Sequence, residues 1–183
     1  MNFKQKLANY KLGNFSDSDL PMIGLTGLEE NLESESLTIL AGLSSNENAF
    51  ILNEYFSKAL KELEIDLPTE KESLFILIDC YAEKMLNKEI EIYRGLDKIK
   101  NEVLFKVSFE IESEKYVYDS IKFDVLYGLY INLDELIHDE INLGGLKSKK
   151  VWIKEIEEEV MEELKKWKKH DFYQHFKLQA GSL

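Results

Sequence analysis

Residues 44–85 read SSNENAFILNEYFSKALKELEIDLPTEKESLFILIDCYAEKM, and this stretch decides the fold class. Leu52, Phe56, Ala59, Leu60 and Leu63 recur at the three- and four-residue intervals of one helical face. Pro68 stops that run, and Leu74, Leu77, Ile78, Tyr81 and Met85 begin a second stripe of the same period. Each stripe follows a Ser/Thr-x-x-Glu tetrad, Ser44–Glu47 and Thr69–Glu72. In such a tetrad hydroxyl and carboxylate satisfy two free backbone N–H groups at a helix start. Two helices joined by Glu64–Pro68 should pack as an antiparallel hairpin.

The periodicity extends outward in both directions. Residues 4–12 read as a short helix ended by Gly13-Asn14, and Ser34 caps another that carries Leu37, Leu40 and Ala41. Between them Ser16–Asp19, Pro21, Gly24 and Gly27 read as a loop. Downstream, Ile92, Leu96, Ile99 and Val103 form a third stripe. Val103, Phe105, Val107, Phe109 and Ile111 then alternate with mostly polar neighbours, which fits a strand returning through Tyr116 and Tyr118; the competing reading of this stretch is a helix entered from the preceding one. Ile121, Val125, Leu129, Leu133 and Leu136 restore the helical period until Gly144-Gly145. Ser148 caps a last helix with Ile153, Ile156, Val160, Leu164 and Trp167 inward. Its early glutamates and late lysines complement the helix dipole, and Glu162–Lys166 makes an i,i+4 pair. The expectation is a mainly α fold: one bundle-like domain of six or seven helices over residues 1–177. A short β-hairpin is expected near 103–118 and a flexible tail at 178–183.

Composition narrows the function classes. The 183 residues include ten Phe, nine Tyr and two Trp, enough apolar surface for a real core. The net charge of −12, with Arg94 the sole arginine among 23 basic residues, argues against a nucleic-acid backbone or an anionic membrane as partner. No apolar run reaches the ~20 residues that span a bilayer. The lone cysteine, Cys80, has no intramolecular partner and reads as a small buried hydrophobe, so a cytoplasmic location is expected.

The runs Leu37–Leu43 and Phe56–Ile65, with Pro68, resemble small uncharacterised helical bacterial proteins that pair a Leu-Ala-x-Leu helix with an acidic Ala-Leu-x-Glu-Leu helix. The likeness covers roughly residues 35–100, consists of core and capping positions, and implies no activity. Size, charge and helicity are also similar to those of acidic immunity proteins that neutralise bacterial toxins.

The chemistry-bearing motifs are sparse. No Gly-x-Ser-x-Gly elbow, phosphate loop or dinucleotide fingerprint occurs, and no catalytic residue is assigned. Asp134-Glu135-Leu136-Ile137-His138-Asp139-Glu140 places Glu135 and His138 three apart on one helical side, the Glu-x-x-His element of dimetal bundles, in a single copy. Tyr116, Tyr118, Tyr127 and Tyr130 precede it. The leading expectation is a non-enzymatic protein-binding module without cofactor, an immunity protein or inhibitor covering a basic toxin or nuclease, through Tyr130, Asp134, Glu135, Asp139 and Glu140. The alternative is a metal-binding protein or enzyme using Asp134, Glu135 and His138 with Zn, Mn or Fe. A self-assembling subunit is a third reading.

Overall fold

Asn2 opens the first helix with a reciprocal cap: its side chain accepts from the Gln5 N–H (2.8 Å), and Gln5 accepts from the Asn2 N–H (3.0 Å). The computed structural model describes residues 1–107, 115–138 and 148–170. Within them lie eight α-helices: α1 (Phe3–Lys11), α2 (Leu20–Glu29), α3 (Glu35–Gly42), α4 (Ala49–Glu62), α5 (Glu70–Leu86), α6 (Ile92–Lys98), α7 (Asp124–His138) and α8 (Lys149–Lys169). The described residues contain no strand, so the fold is mainly α. The chain divides within α5 into two compact units, one formed by Met1–Cys80 and the other beginning at Tyr81.

In the first unit α2 packs on α3, and α3 on α4. Phe3, Leu7, Leu20, Ile23, Leu37 and Leu40 meet Leu52, Phe56 and Ala59 in one buried cluster, as the helical periodicity of each segment requires. The loop expected at Ser16–Gly27 is overturned: after a 3₁₀ turn at Asp17–Asp19 the chain forms α2. Pro21 sits in its first turn, where a missing N–H costs nothing. Gly24 and Gly27 are points of close approach. A Cβ on Gly24 would lie 3.2 Å from the Ala41 backbone N, and one on Gly27 3.0–3.1 Å from Leu37 and the Phe3 ring. Small residues that read as breakers in sequence are here the condition for α2 to reach its neighbours.

Capping follows the sequence in part. Thr69 and Glu72 form the expected box at α5, with Glu72 N–H to Thr69 Oγ1 at 3.2 Å and Thr69 N–H to Glu72 Oε2 at 2.7 Å. Ser34 caps α3 by accepting from the Leu37 N–H (3.1 Å). The box expected at Ser44–Glu47 is instead a turn, and α4 starts later with Asn48 accepting from the Phe50 N–H (2.8 Å). Four helix ends share one termination. At α1, α2, α4 and α5 the paired 6→1 and 5→2 backbone bonds of a Schellman motif form around Gly13, Asn31, Glu64 and Lys88, each at positive φ.

In the second unit α7 packs on α6 and α8, and α6 also meets α8. Leu126, Leu129, Leu133 and Leu136 are buried with Val160, Leu164 and Trp167, whereas the expected inward residue Val125 is 50% exposed. The Trp167 indole donates to the Ile121 carbonyl (3.0 Å) and meets the Phe123 ring edge-on, with centroids 6.2 Å apart. Cys80 is buried, as expected. The strand expected from Val103 does not begin there. Ile99–Val103 is a π-helical turn and Leu104–Lys106 a 3₁₀ turn, because Val103 and Leu104, adjacent in sequence, are both buried, which an alternating strand does not allow. Tyr116–Tyr118 is a turn, and the remainder of the expected hairpin lies outside the described residues. The Glu162–Lys166 pair is also replaced, since Lys166 bonds Glu163 at 2.6 Å. The expected end at Gly144-Gly145 and the tail at 178–183 lie outside the described residues.

Candidate functional site

The C-terminal half of α7 carries Tyr130, Asp134 and His138 at successive four-residue steps, one above the other on a single face. Tyr93 in the first turn of α6 reaches this face. Its hydroxyl donates to Asp134 Oδ1 (2.6 Å) and lies 2.9 Å from His138 Nε2. His138 Nε2 is 3.6 Å from Asp134 Oδ1. The Tyr93 phenol is pushed far above its usual pKa, first by the hydrogen bond to Asp134, then by burial. It therefore stays protonated at neutral pH and serves as a fixed donor to the carboxylate rather than as a base.

Behind this triad runs a ladder of rings. Tyr118 meets Tyr127 edge-on at 4.9 Å, Tyr127 stacks near Tyr130 at 6.3 Å, and Tyr130 stacks with Tyr93 at 6.0 Å. The Tyr93 ring in turn lies 5.9 Å from the His138 imidazole. Tyr130 is only 2% exposed. Its hydroxyl donates to Asp97 Oδ1 (3.2 Å) and accepts from Lys100 Nζ (3.1 Å). Burial, followed by the charges of Asp134 and Asp97, raises its pKa to about 12. Asn101 donates to the same Asp97 oxygen at 2.8 Å.

The expected site residues thus separate. Asp134 is held by Tyr93, Glu135 beside it is exposed, and His138 is 64% exposed at the helix end. Tyr130, expected on a partner-binding surface, is buried and braces α6 against α7, because its ring stacks near Tyr93 and Tyr127 and its hydroxyl bonds Asp97 and Lys100. Asp139 and Glu140 lie outside the described residues. Asp134, Glu135 and His138 do not converge with a further ligand: among the described residues no group of three or more His, Cys, Asp or Glu side chains is placed to hold a metal ion.

Tyr93, Asp97 and Lys100 are the residues that sequence reasoning missed. Their signal was present as Tyr93-x-x-x-Asp97-x-x-Lys100, a polar face at helical spacing. The apolar stripe of Ile92, Leu96 and Ile99 on the same helix drew attention from it. A groove of about 790 Å³ is lined by the end of α5, the α5–α6 connection, the start of α6 with Tyr93, and residues of α7 and α8.

Comparison with models of protein families, with curated proteins and with solved structures finds no match to this chain. No helix among the described residues is long and apolar enough to cross a membrane.

Proposed function

We propose that the chain is a non-enzymatic acidic protein-binding module, of the immunity-protein or inhibitor kind, that engages a basic protein. The observation that carries this reading is the Asp134 carboxylate, pinned by the Tyr93 phenol beside exposed Glu135, on a chain of net charge −12. A carboxylate held in place by a protonated phenol presents negative charge at a fixed point without a further ordering cost on binding. The acidic excess of the chain steers a cationic partner and makes association sensitive to salt.

The test is paired capture from host lysate with the wild type and with Asp134→Lys/Glu135→Lys. The expected outcome is a basic protein retained by the wild type at low salt, released at high salt, and lost from the doubly reversed variant. Retention of the same proteins by both forms would overturn the assignment of this face.

A further inference from the structure

The groove of about 790 Å³ combines two kinds of lining that need different partners. Met85, Ile90, Ile92, Ile137 and Met161 supply apolar surface, and Gly95 leaves the space that the Met85 side chain occupies, since a Cβ there would fall 2.4 Å from the Met85 sulfur. Glu89, Glu91 and Glu157 supply charge, with Lys88 the one basic residue of the lining among the described residues. Among the described residues neither Glu91 nor Glu157 has a side-chain hydrogen bond or an ion pair, although Glu91 stands at the N-cap position of α6. The Glu157 carboxyl is pushed above the usual carboxylate range, first by burial and then by the Glu91 charge. Two glutamates that repel one another in an apolar groove leave negative charge that no ion pair or side-chain hydrogen bond among the described residues offsets.

We propose that this groove receives a lysine or arginine side chain from an otherwise aliphatic segment of a protein partner, its cation between Glu91 and Glu157 and its neighbours against Ile137 and Met161. The proposal rests on the protein-binding reading above and adds the chemistry of the partner. Charge complementarity selects this occupant: a purely aliphatic segment would leave both carboxylates uncompensated, and an acidic one would add to their repulsion. A long basic side chain suits both linings, since its methylene stem covers apolar surface while its head reaches the carboxylates. Tyr93 lines the groove and also holds Asp134, so the fixed carboxylate of α7 lies next to the pocket that would take the cation.

The experiment titrates the full chain with the capped peptide acetyl-Leu-Ile-Arg-Ile-Leu-amide and with its citrulline counterpart, which has the same shape but no charge. Methyl resonances of Ile90, Ile92, Ile137 and Met161 and the Glu157 side-chain carboxyl are followed by NMR. The expected result is saturable shifts of these methyls with the arginine peptide, a Glu157 midpoint moved to lower pH, and at least ten-fold weaker binding of the citrulline peptide. Glu91→Gln/Glu157→Gln should weaken the arginine peptide by a similar factor while leaving the methyl spectrum of the free protein folded. Equal binding of the two peptides, or no shift at millimolar peptide, would overturn the proposal. So would the same methyl shifts produced by calcium or magnesium alone, or by raising the protein concentration alone. The glutamine double variant in the lysate capture separates the two claims. A basic protein retained by it but lost by Asp134→Lys/Glu135→Lys overturns the groove and leaves the binding module standing. A lysate partner indifferent to every variant removes both.

Discussion

Glu62 and Glu157 are glutamates on helical faces of the two units, and their surroundings push them in opposite directions. At the junction of α3 and α4 the Glu62 carboxylate accepts from the Ser34 hydroxyl (2.6 Å), the Ser36 N–H (3.0 Å) and the Ser36 hydroxyl. These bonds, the Ser34 and Ser36 side chains first, hold its pKa down to about 2. It sits at the first turn of α3, where free N–H groups and the helix dipole favour an anion. Glu30 does the same for α1, accepting from the Phe3 N–H at 2.6 Å. In the groove of the second unit Glu157 has no such donors among the described residues, and burial raises its proton affinity. Glu62 is answered by two hydroxyls and a backbone N–H at a helix start, whereas Glu157 is left facing a groove. A carboxylate is structural where helix ends surround it, and available for binding where they do not.

The largest expected effect tests how completely the first region is filled. Gly27→Ala puts a methyl 3.0–3.1 Å from Leu37 and the Phe3 ring, and should destabilise the chain by about 1–3 kcal/mol in urea unfolding. A loss below about 0.5 kcal/mol would mean that α2 and its neighbours can part as easily as the groove admits a ligand, and the contrast would fail.

A smaller effect, of opposite sign, comes from the helix ends. Glu64 and Lys88 hold the left-handed position that glycine holds after α1, and a side chain there is strained. Glu64→Gly and Lys88→Gly should each stabilise by about 0.5–1 kcal/mol, with the greater flexibility of unfolded glycine offsetting part of the gain. Lys88→Gly also removes the basic residue of the groove lining, so it should strengthen arginine-peptide binding while Glu64→Gly leaves it unchanged.

The smallest effect is the most direct on the comparison, and it is small because water screens both carboxylates. At pH 7 Glu62→Gln should lower the thermal midpoint and Glu157→Gln should raise it. The signs follow from linkage. A carboxyl depressed by folding contributes stability that is present above its unfolded pKa and lost as pH falls through the folded value. The deficit of Glu62→Gln should therefore shrink between about pH 4.5 and 2. A carboxyl raised by folding opposes the native state when ionised, so the advantage of Glu157→Gln should fade as acid protonates the wild-type group. Thermal melts across pH measure both, and shifts of the same sign at pH 7 would erase the distinction between the two regions.

Much of this arrangement was legible in the residues. The stripes at Leu52–Leu63 and Leu74–Met85 predicted α4 and α5, and the Thr69–Glu72 box forms as read, because both depend on contacts within four residues. Gly24, Gly27 and Pro21 misled for the complementary reason. The meaning of the two glycines depends on α3 and Phe3, which no local pattern shows, and Pro21 reads as a breaker until it is placed in the first turn of α2. Val103 and Leu104 misled because an alternating pattern describes a strand only if alternate residues face one layer, and here adjacent ones are buried. In the candidate site the sequence pointed to Asp134, Glu135 and His138 on α7. It could not show that Tyr93 from another helix would take up Asp134, or that Tyr130 would turn inward.

By itself the sequence determined the helical class, most helix bodies and the acidic character, since periodicity, capping and net charge are local or additive quantities. Only the tertiary structure decided which carboxylates meet donors and which are left facing a groove. That depends on which helix end or side chain arrives beside each one, a distance between residues far apart in the chain that neither period nor composition encodes.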